Sequence, residues 1–568
     1  MANQAHTPSK PGIIRSLLGF IWGSITWLRV ALLNLIFIAF VLVVLSSMAP
    51  QELATMPEQT ALRISPSGFL VDQYSYSDPL TQILEQSSQE KAETRVLDVV
   101  EALQRAKQDT RITSLVLELD SLLGGGLSKL EEIGAALQDF KTSGKHITAI
   151  SDSYSQDQYY LASFADEIIL NPMGAVLVTG YSSYRNYFKD ALDKLALNYH
   201  VFRAGTYKDA VEPYLQNEMS EVSREHNRLW LEDLWRTYLE RVETTRQLDA
   251  GSLNDYINNI DQHMTQAGGD TAQLALKLGL VDTLSSPVEL RAELISRFGR
   301  DEQDDYQALD YWDYLELTEA EQPQHRNKVG LLVASGIILD GEQPDGNIGS
   351  DTFSQLIRDA RKNKQIKALV VRIDSGGGSA FASEVIRQEL QATRDAGIPV
   401  VVSMGSVAAS GGYWMAMASD EVWATPTTIT GSIGVFSAFP TLEQSLSNVG
   451  IHTDGLATTE LAGALRLDRE LSPLAAGVLQ QGVNHVYQQF LALVAKARNS
   501  TPTQINQIAQ GRVWTGNAAL QLGLVDQLGS LSDAINAAAQ RANLEQFEVE
   551  EVRKPLTPSE QFVQQLAQ

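Results

Sequence analysis

The sequence predicts an α/β protein made of two tandem copies of one domain, carried behind an N-terminal transmembrane helix. Three observations carry this. Short β-branched runs alternate with amphipathic helical stretches, segments of the first half return in the same order in the second, and one long uncharged apolar run stands near the N-terminus. At 568 residues the chain exceeds what a single hydrophobic core organises, so length alone calls for two large domains.

The apolar run comes first along the chain. From Val30 to Gln51 there is no charge, and with Ile21 to Leu28 the stretch is long enough to cross about 30 Å of hydrocarbon. Lys10, Arg15 and Arg29 precede its centre and no acid occurs before Glu52. The positive-inside rule then puts residues 1–20 in the cytoplasm, an anchor at 21–49, and the rest across the membrane. A cleaved signal peptide is the rival reading, with Ser47 and Ala49 as small residues at a cut site, though Pro50 would follow directly.

The repeat is next. LVLELDS at Leu115 to Ser121 recurs as LVVRIDS at Leu369 to Ser375, and ADEIILNP at Ala165 to Pro172 recurs as SDEVWATP at Ser419 to Pro426, at one and the same offset. GLVD at Gly279 to Asp282 returns at Gly523 to Asp526. Each copy opens with a strand, a Gly-containing turn and a second strand, as in ALRISPSGFLVDQ and in KVGLLVASGIILDG at Lys328 to Gly341. In the second copy an amphipathic helix from Thr352 to Asn363 follows, then the buried strand ALVVRID, a Gly-rich turn, the helix SEVIRQELQATRDAG and the buried strand PVVVSM. A sheet covered by helices on its faces is the expected result.

The polar span from Asp301 to Asn327 is the candidate boundary, with an ordinary surface loop as the alternative. It gives an N-terminal repeat at 52–310, a C-terminal repeat at 326–545 and a tail at 546–568. Arg224 to Arg246 predicts a long helix whose Leu and Trp residues recur at three- and four-residue spacing, which reads as core or subunit interface rather than a ligand box.

Composition excludes several functions. The net charge of -25 comes with no basic stripe and interleaved aromatics, so nucleic acid is not an expected partner. Zero cysteines exclude disulfides, thiolate zinc sites and a cysteine nucleophile. No ligand cluster for a metal or nucleotide is visible, and no cofactor is expected.

The chemistry centres on Ser410 in AASGGYW. It follows a buried strand and precedes an apolar helical run, so free backbone N–H groups and a positive helix end would face a developing oxyanion. Taken alone it reads first as a serine N-cap on a buried helix. The turn IDSGGGS, Ile373 to Ser379, adds glycines that let amides face a carbonyl oxygen or hold an extended peptide, or else make a flexible turn or anion nest. A phosphate loop is excluded because no GK[ST] follows.

A serine hydroxyl needs a base. His452 in GIHTDG, with Asp454 beside it, serves only if the fold returns it to Ser410, and otherwise is a surface turn. A lysine serves only when neutral, and Lys208 in RAGTYKDAVEP lies among Ala204, Gly205, Tyr207, Ala210 and Val211, a setting that allows its pKa to fall; an exposed loop lysine is the other reading. At the repeat offset Ser410 falls on Gln156 and Lys208 falls near Ala462, so each copy holds half of a dyad.

Together the anchor, the tandem repeat, GTYKDAVEP, the SGGGS turn, MGSVAASGGYW and TGSIGVF resemble the signal peptide peptidase A family in its long, duplicated bacterial form. The resemblance runs from the anchor to about Gln540. It implies two Clp protease/crotonase-like domains of repeated β-β-α units, with Ser410 as nucleophile and Lys208 of the first copy as general base and acid. It implies that Ser432 orients the lysine amine and that the amides of Gly411 and of Gly377 or Gly378 form the oxyanion hole. A bacterial inner-membrane protein is implied, with catalytic domains on the periplasmic side, assembled as a homotetramer and acting on cleaved signal peptides and other apolar peptides. The family's turn usually reads N-S-P-G-G, whereas Asp374, Ser375 and Gly376 stand here, and losing the proline should loosen the turn.

Two other classes stay open. A crotonase-like acyl-CoA enzyme would use paired amides on a thioester enolate, but a translocating anchor separates it from cytoplasmic CoA. A catalytically silent membrane scaffold would be marked by substitution at Ser410 or Lys208, and both are present.

Overall fold

The computed structural model describes residues 13–47, 56–75 and 93–554. The expected cytoplasmic stretch before residue 13, the linker at 48–55 and the end of the expected tail at 555–568 lie outside the described residues.

Ile13–Ser47 is one helix of 35 residues, about 52 Å long at the α-helical rise. Among the described residues it is the one helix long and apolar enough to cross a membrane, over Trp22–Ala39, and none of that stretch is buried.

The rest of the chain is built on two parallel sheets of the same order. In the first, the strands run Thr283–Leu284, Glu167–Leu170, His146–Ser151, Ile112–Glu118, Thr60–Ile64 and Ala308–Asp310 from edge to edge. In the second, Gln527–Leu528, Glu421–Ala424, Val400–Ala409, Ile366–Ser375, Lys328–Ser335 and Glu548–Glu551 follow one another in the same way. The expected α/β duplication is therefore present strand by strand.

Side-chain alternation explains why both sheets read as continuous apolar runs. Leu115 and Leu117 enter one core with the helices Val96–Gln108 and Leu127–Lys141, while Val116 between them packs on the opposite face with Leu294. Leu369, Val371 and Ile373 divide from Ala368 and Val370 in the same manner, the latter meeting the helix Leu531–Arg541. A parallel strand covered on both faces has no polar side to show.

The recurring sequence landmarks are recurring hydrogen bonds. Asp282 of the first GLVD accepts from Ile168 N at 2.8 Å, and Asp526 of the second accepts from Val422 N at 2.8 Å. Tyr159 donates to Leu280 O at 2.8 Å and Tyr413 to Leu524 O at 2.7 Å. Each pair satisfies backbone groups that would otherwise be buried without partners.

Two segments expected to be linker or tail hold regular structure. The polar span from Asp301 to Asn327 holds the edge strand Ala308–Asp310 and the helix Tyr311–Glu319, whose Tyr311 and Tyr314 are buried in the first core. The expected tail begins inside the second sheet, because Glu548–Glu551 pairs with Lys328–Ser335. Both strands lie at sheet edges, held by backbone bonds and half exposed, so neither carries the apolar pattern that marks a central strand.

The copies differ where the second one is longer. Val400–Ala409 continues unbroken to pair with Ile429–Gly431, whereas its counterpart is split into His146–Ser151 and Tyr154–Ser155. The two repeats are joined by an antiparallel ribbon of Asn198–Ala204 with Val435–Thr441.

Candidate active site

Ser410 follows the strand Val400–Ala409 and precedes the helix Gly411–Ala416. Its φ of 54° and ψ of -115° are rare for a residue with a side chain, a strain of about 1–3 kcal/mol that the fold must hold in place. The Ser410 N–H donates to Gly431 O at 2.9 Å. Its side chain makes no capping bond, so the N-cap reading falls.

The ribbon delivers Lys208. Asn198–Ala204 leads into it, and Val435–Thr441 leads back to Ser432. The second repeat then clamps the lysine's loop: Tyr207 N donates to Gln510 O at 2.7 Å, and the Arg512 guanidinium lies 3.7 Å from the centre of the Tyr207 ring. Gly511 packs so closely that a Cβ there would stand 2.5 Å from Lys208 N.

Lys208 Nζ lies 3.0 Å from Ser410 Oγ, 2.9 Å from Ser432 Oγ and 3.0 Å from Ser432 O. Only 6% of the residue is exposed. Burial pushes its pKa down to about 8, against the opposing pull of the Asp209 carboxylate. A neutral amine has two N–H groups and one lone pair. The two Ser432 oxygens accept the former, which leaves the lone pair for the Ser410 hydroxyl.

The glycine turn stands opposite. Ser375 Oγ donates to Gly336 O at 2.6 Å and accepts from Gly377 N at 3.1 Å, so the Gly377 amide is already engaged. Ile338 bridges the turn, with its N–H on Gly377 O at 3.1 Å and its carbonyl accepting from Ser379 N at 2.9 Å. In such a parallel bridge the N–H of the intervening residue points away from the partner strand. Gly378 N accordingly faces Gly411, lying 3.3 Å from where a Gly411 Cβ would sit. Gly377 has φ of 104°, and a Cβ on it would meet Gly411 N at 2.7 Å and Ser410 Cβ at 2.8 Å, so no side chain fits there. The turn is closed by the two Ser375 bonds, with Gly376 in the place where a proline was expected.

Lys208, Ser410, Ser432 and Gly378 share a cavity of about 1030 Å³ with Trp230 and Phe436. Trp230 departs from the expectation of core or interface for its helix, Glu221–Thr245, since it lines this cavity and donates to Asn227 Oδ1 at 2.8 Å. Trp235 and Tyr238 of the same helix stack at 5.2 Å and Tyr238 is fully buried, as core residues should be. His452 is exposed and lines a separate cavity with Asp468 and Glu443. In the first repeat Gln156 holds the place of Ser410, its Oε1 accepting from Thr179 N at 3.1 Å and Gly180 N at 2.8 Å.

Sequence reasoning passed over Ser375, Gly511 and Trp230. Ser375 stood inside the quoted turn, and QGRVWTG ahead of the second GLVD was the remaining signal for Gly511. Nothing in the helical pattern distinguishes Trp230 from its core neighbours.

The chain is 42% identical to Protease 4 of Salmonella typhi, over 93% of this chain and 86% of that protein. It is 38% identical to Protease 4 of Haemophilus influenzae, over 93% and 87%. Among solved structures, ClpP1 from Listeria monocytogenes aligns with 36% of this chain and 94% of its own at 15% identity and a TM-score of 0.24. The model of peptidase family S49 matches twice, at residues 139–294 and 392–545, once in each repeat. With more than half of its length matched in this way, the chain belongs to peptidase family S49.

Proposed function

We propose that this protein is a membrane-anchored serine endopeptidase that degrades cleaved signal peptides in the bacterial cytoplasmic membrane. The observation that carries the reading is the 3.0 Å approach of a buried lysine amine to the hydroxyl of a conformationally strained serine. In this reading the repeat at 52–310 supplies the base and the repeat at 326–545 supplies the nucleophile.

Lys208 takes the proton of Ser410 as Oγ attacks the peptide carbonyl, and the charge that forms on the carbonyl oxygen is met by the N–H groups of Gly378 and Gly411. Gly377 contributes its shape and its carbonyl rather than its amide. Protonated Lys208 then gives its proton to the leaving amine, and water hydrolyses the ester with the lysine again as base. Ser432 keeps the amine aimed throughout. No cofactor enters these steps.

The resemblance to the signal peptide peptidase A family and the setting support the substrate class. The apolar helix Ile13–Ser47 suits a retained anchor with the N-terminus in the cytoplasm and the sheets on the periplasmic side. A cavity lined partly by Trp230 and Phe436 suits apolar segments left in the same membrane. Assembly as a homotetramer is supported by two exposed segments that form no ribbon within the chain. The segment of the first repeat that corresponds to Val435–Thr441 leaves Tyr184 94% exposed, and the segment of the second that corresponds to Asn198–Ala204 exposes Leu456. A second copy placed head to tail would join them as the internal ribbon joins its own pair.

The test is hydrolysis of a fluorogenic apolar peptide by the detergent-solubilised full chain, with Ser410→Ala and Lys208→Ala beside the wild type. Both variants should fall to background while keeping the wild-type unfolding transition. A folded Lys208→Ala variant that retains most turnover would move the base elsewhere, and a wild type inert on varied peptides would favour a scaffold.

A further inference from the structure

Asp374 opens the turn that carries Gly378, and it sits at a break in strand register. Ile373 pairs with Met404 and Ser375 with Ala408, so the chain between Met404 and Ala408 bulges past Asp374. A bulge leaves backbone and side-chain groups without ladder partners. Here they are gathered by one side chain from the other repeat.

Lys129, on the helix Leu127–Lys141, places Nζ 2.5 Å from Asp374 Oδ2 and 3.0 Å from Ser406 Oγ, within the bulge. The second Asp374 oxygen accepts from Val407 N at 2.9 Å. Neighbouring Ser128 Oγ stands 2.8 Å from Ser406 Oγ. Lys129 is 4% exposed. Burial lowers its pKa, but Asp72 and Asp374 outweigh burial and hold the amine above its ordinary range.

The lysine belongs to a larger buried group. Arg372, two residues before Asp374 and fully buried, donates to Asp72 Oδ1 at 3.0 Å, to Glu132 Oε1 at 2.5 Å and to Ser403 Oγ at 2.9 Å. Asp72 and Glu132 come from the first repeat, Arg372 and Asp374 from the second. Removing one partner of such a group leaves a buried charge uncompensated.

We infer that Lys129 is a positioning residue for the reaction, acting through Asp374 and Ser406 to hold the Gly378 turn against the strand that ends at Ser410. The two strands it ties are Ile366–Ser375, which delivers the oxyanion amide, and Val400–Ala409, which delivers the nucleophile. The first repeat thus supplies both the base and the clamp that sets the distance between amide and hydroxyl. This rests on the reading of Ser410 as nucleophile and Gly378 as oxyanion donor.

The experiment measures kcat and KM of the full chain in detergent on an apolar fluorogenic peptide, for wild type, Lys129→Met, the double variant Lys129→Met with Asp374→Asn, and Ser410→Ala. In Lys129→Met, kcat per folded molecule should fall about 100-fold, the scale of a misplaced oxyanion donor, with KM within about twofold. The double variant removes the Asp374 charge together with its partner and leaves Asp72 paired with Arg372, and its kcat should fall about tenfold at unchanged KM. Wild-type kcat per folded molecule in either variant, with Ser410→Ala inert, overturns the positioning role alone. Wild-type turnover by Ser410→Ala overturns the reading beneath it as well.

Discussion

Lys208 and Ser410 are 202 positions apart in the chain, and their Nζ and Oγ atoms are 3.0 Å apart in space. One belongs to each repeat, and the ribbon of Asn198–Ala204 with Val435–Thr441 closes the distance. The consequences of that juxtaposition are open to direct test.

The pH dependence follows from the lysine. Its pKa is lowered to about 8 by burial, and only the neutral amine accepts a proton. The ratio kcat/KM, which reports the free enzyme, should rise with pH, reach half its plateau near pH 8 and fall about tenfold for each further unit below that. A rate constant between pH 5 and 9 would exclude Lys208 as base.

Ser432→Ala removes one of the two oxygens that hold the Lys208 amine and leaves the carbonyl in place. Losing a hydrogen bond to a chargeable group is worth about 1.5–3 kcal/mol, so kcat should drop about 10- to 100-fold with KM little changed. Steady-state kinetics on one peptide decide it.

Gly377→Ala puts a methyl group against Gly411 N and Ser410 Cβ at a φ that disfavours it. The turn must shift, and kcat should fall by more than about 100-fold. Thermal unfolding should record a stability loss of about 1–3 kcal/mol, which separates a local displacement from global unfolding.

Arg372→Met leaves Asp72 and Glu132 buried without their guanidinium. Breaking such a buried pair costs about 3–5 kcal/mol. Chemical unfolding of the solubilised protein should show that loss, and a change below about 1 kcal/mol would mean the buried group does not hold the repeats together.

Gln156→Ser in a Ser410→Ala background should stay inactive. The first repeat has a glutamine bonded to Thr179 N and Gly180 N where the nucleophile would stand, and Lys208 is committed to the second repeat. Recovery of peptide hydrolysis would show a base that serves both positions.

The parts of this architecture that were legible in advance share a cause. Ile366–Ser375 and Ile112–Glu118 announce themselves as strands because each is covered on both faces, and the offset between them, shared by Ala165 to Pro172 and Ser419 to Pro426, exposes the duplication. Glu548–Glu551 has the sequence of a tail because an edge strand needs only backbone partners. Trp230 and Trp235 share one helix and one pattern, yet one lines the cavity and the other stacks in the core, since periodicity marks a face without naming what lies beyond it.

The site divides along the same line. Residue order alone was enough for the two copies, the serine between small residues at a strand end and the placing of Lys208 and Ser410 in different repeats, because these depend on spacing within one segment. The lysine's approach to Ser410, the engagement of the Gly377 amide by Ser375 and the reach of Lys129 to Asp374 were settled by folding. Each depends on which way an N–H or an amine points once segments far apart in the chain are packed together, and a linear pattern carries no record of that direction.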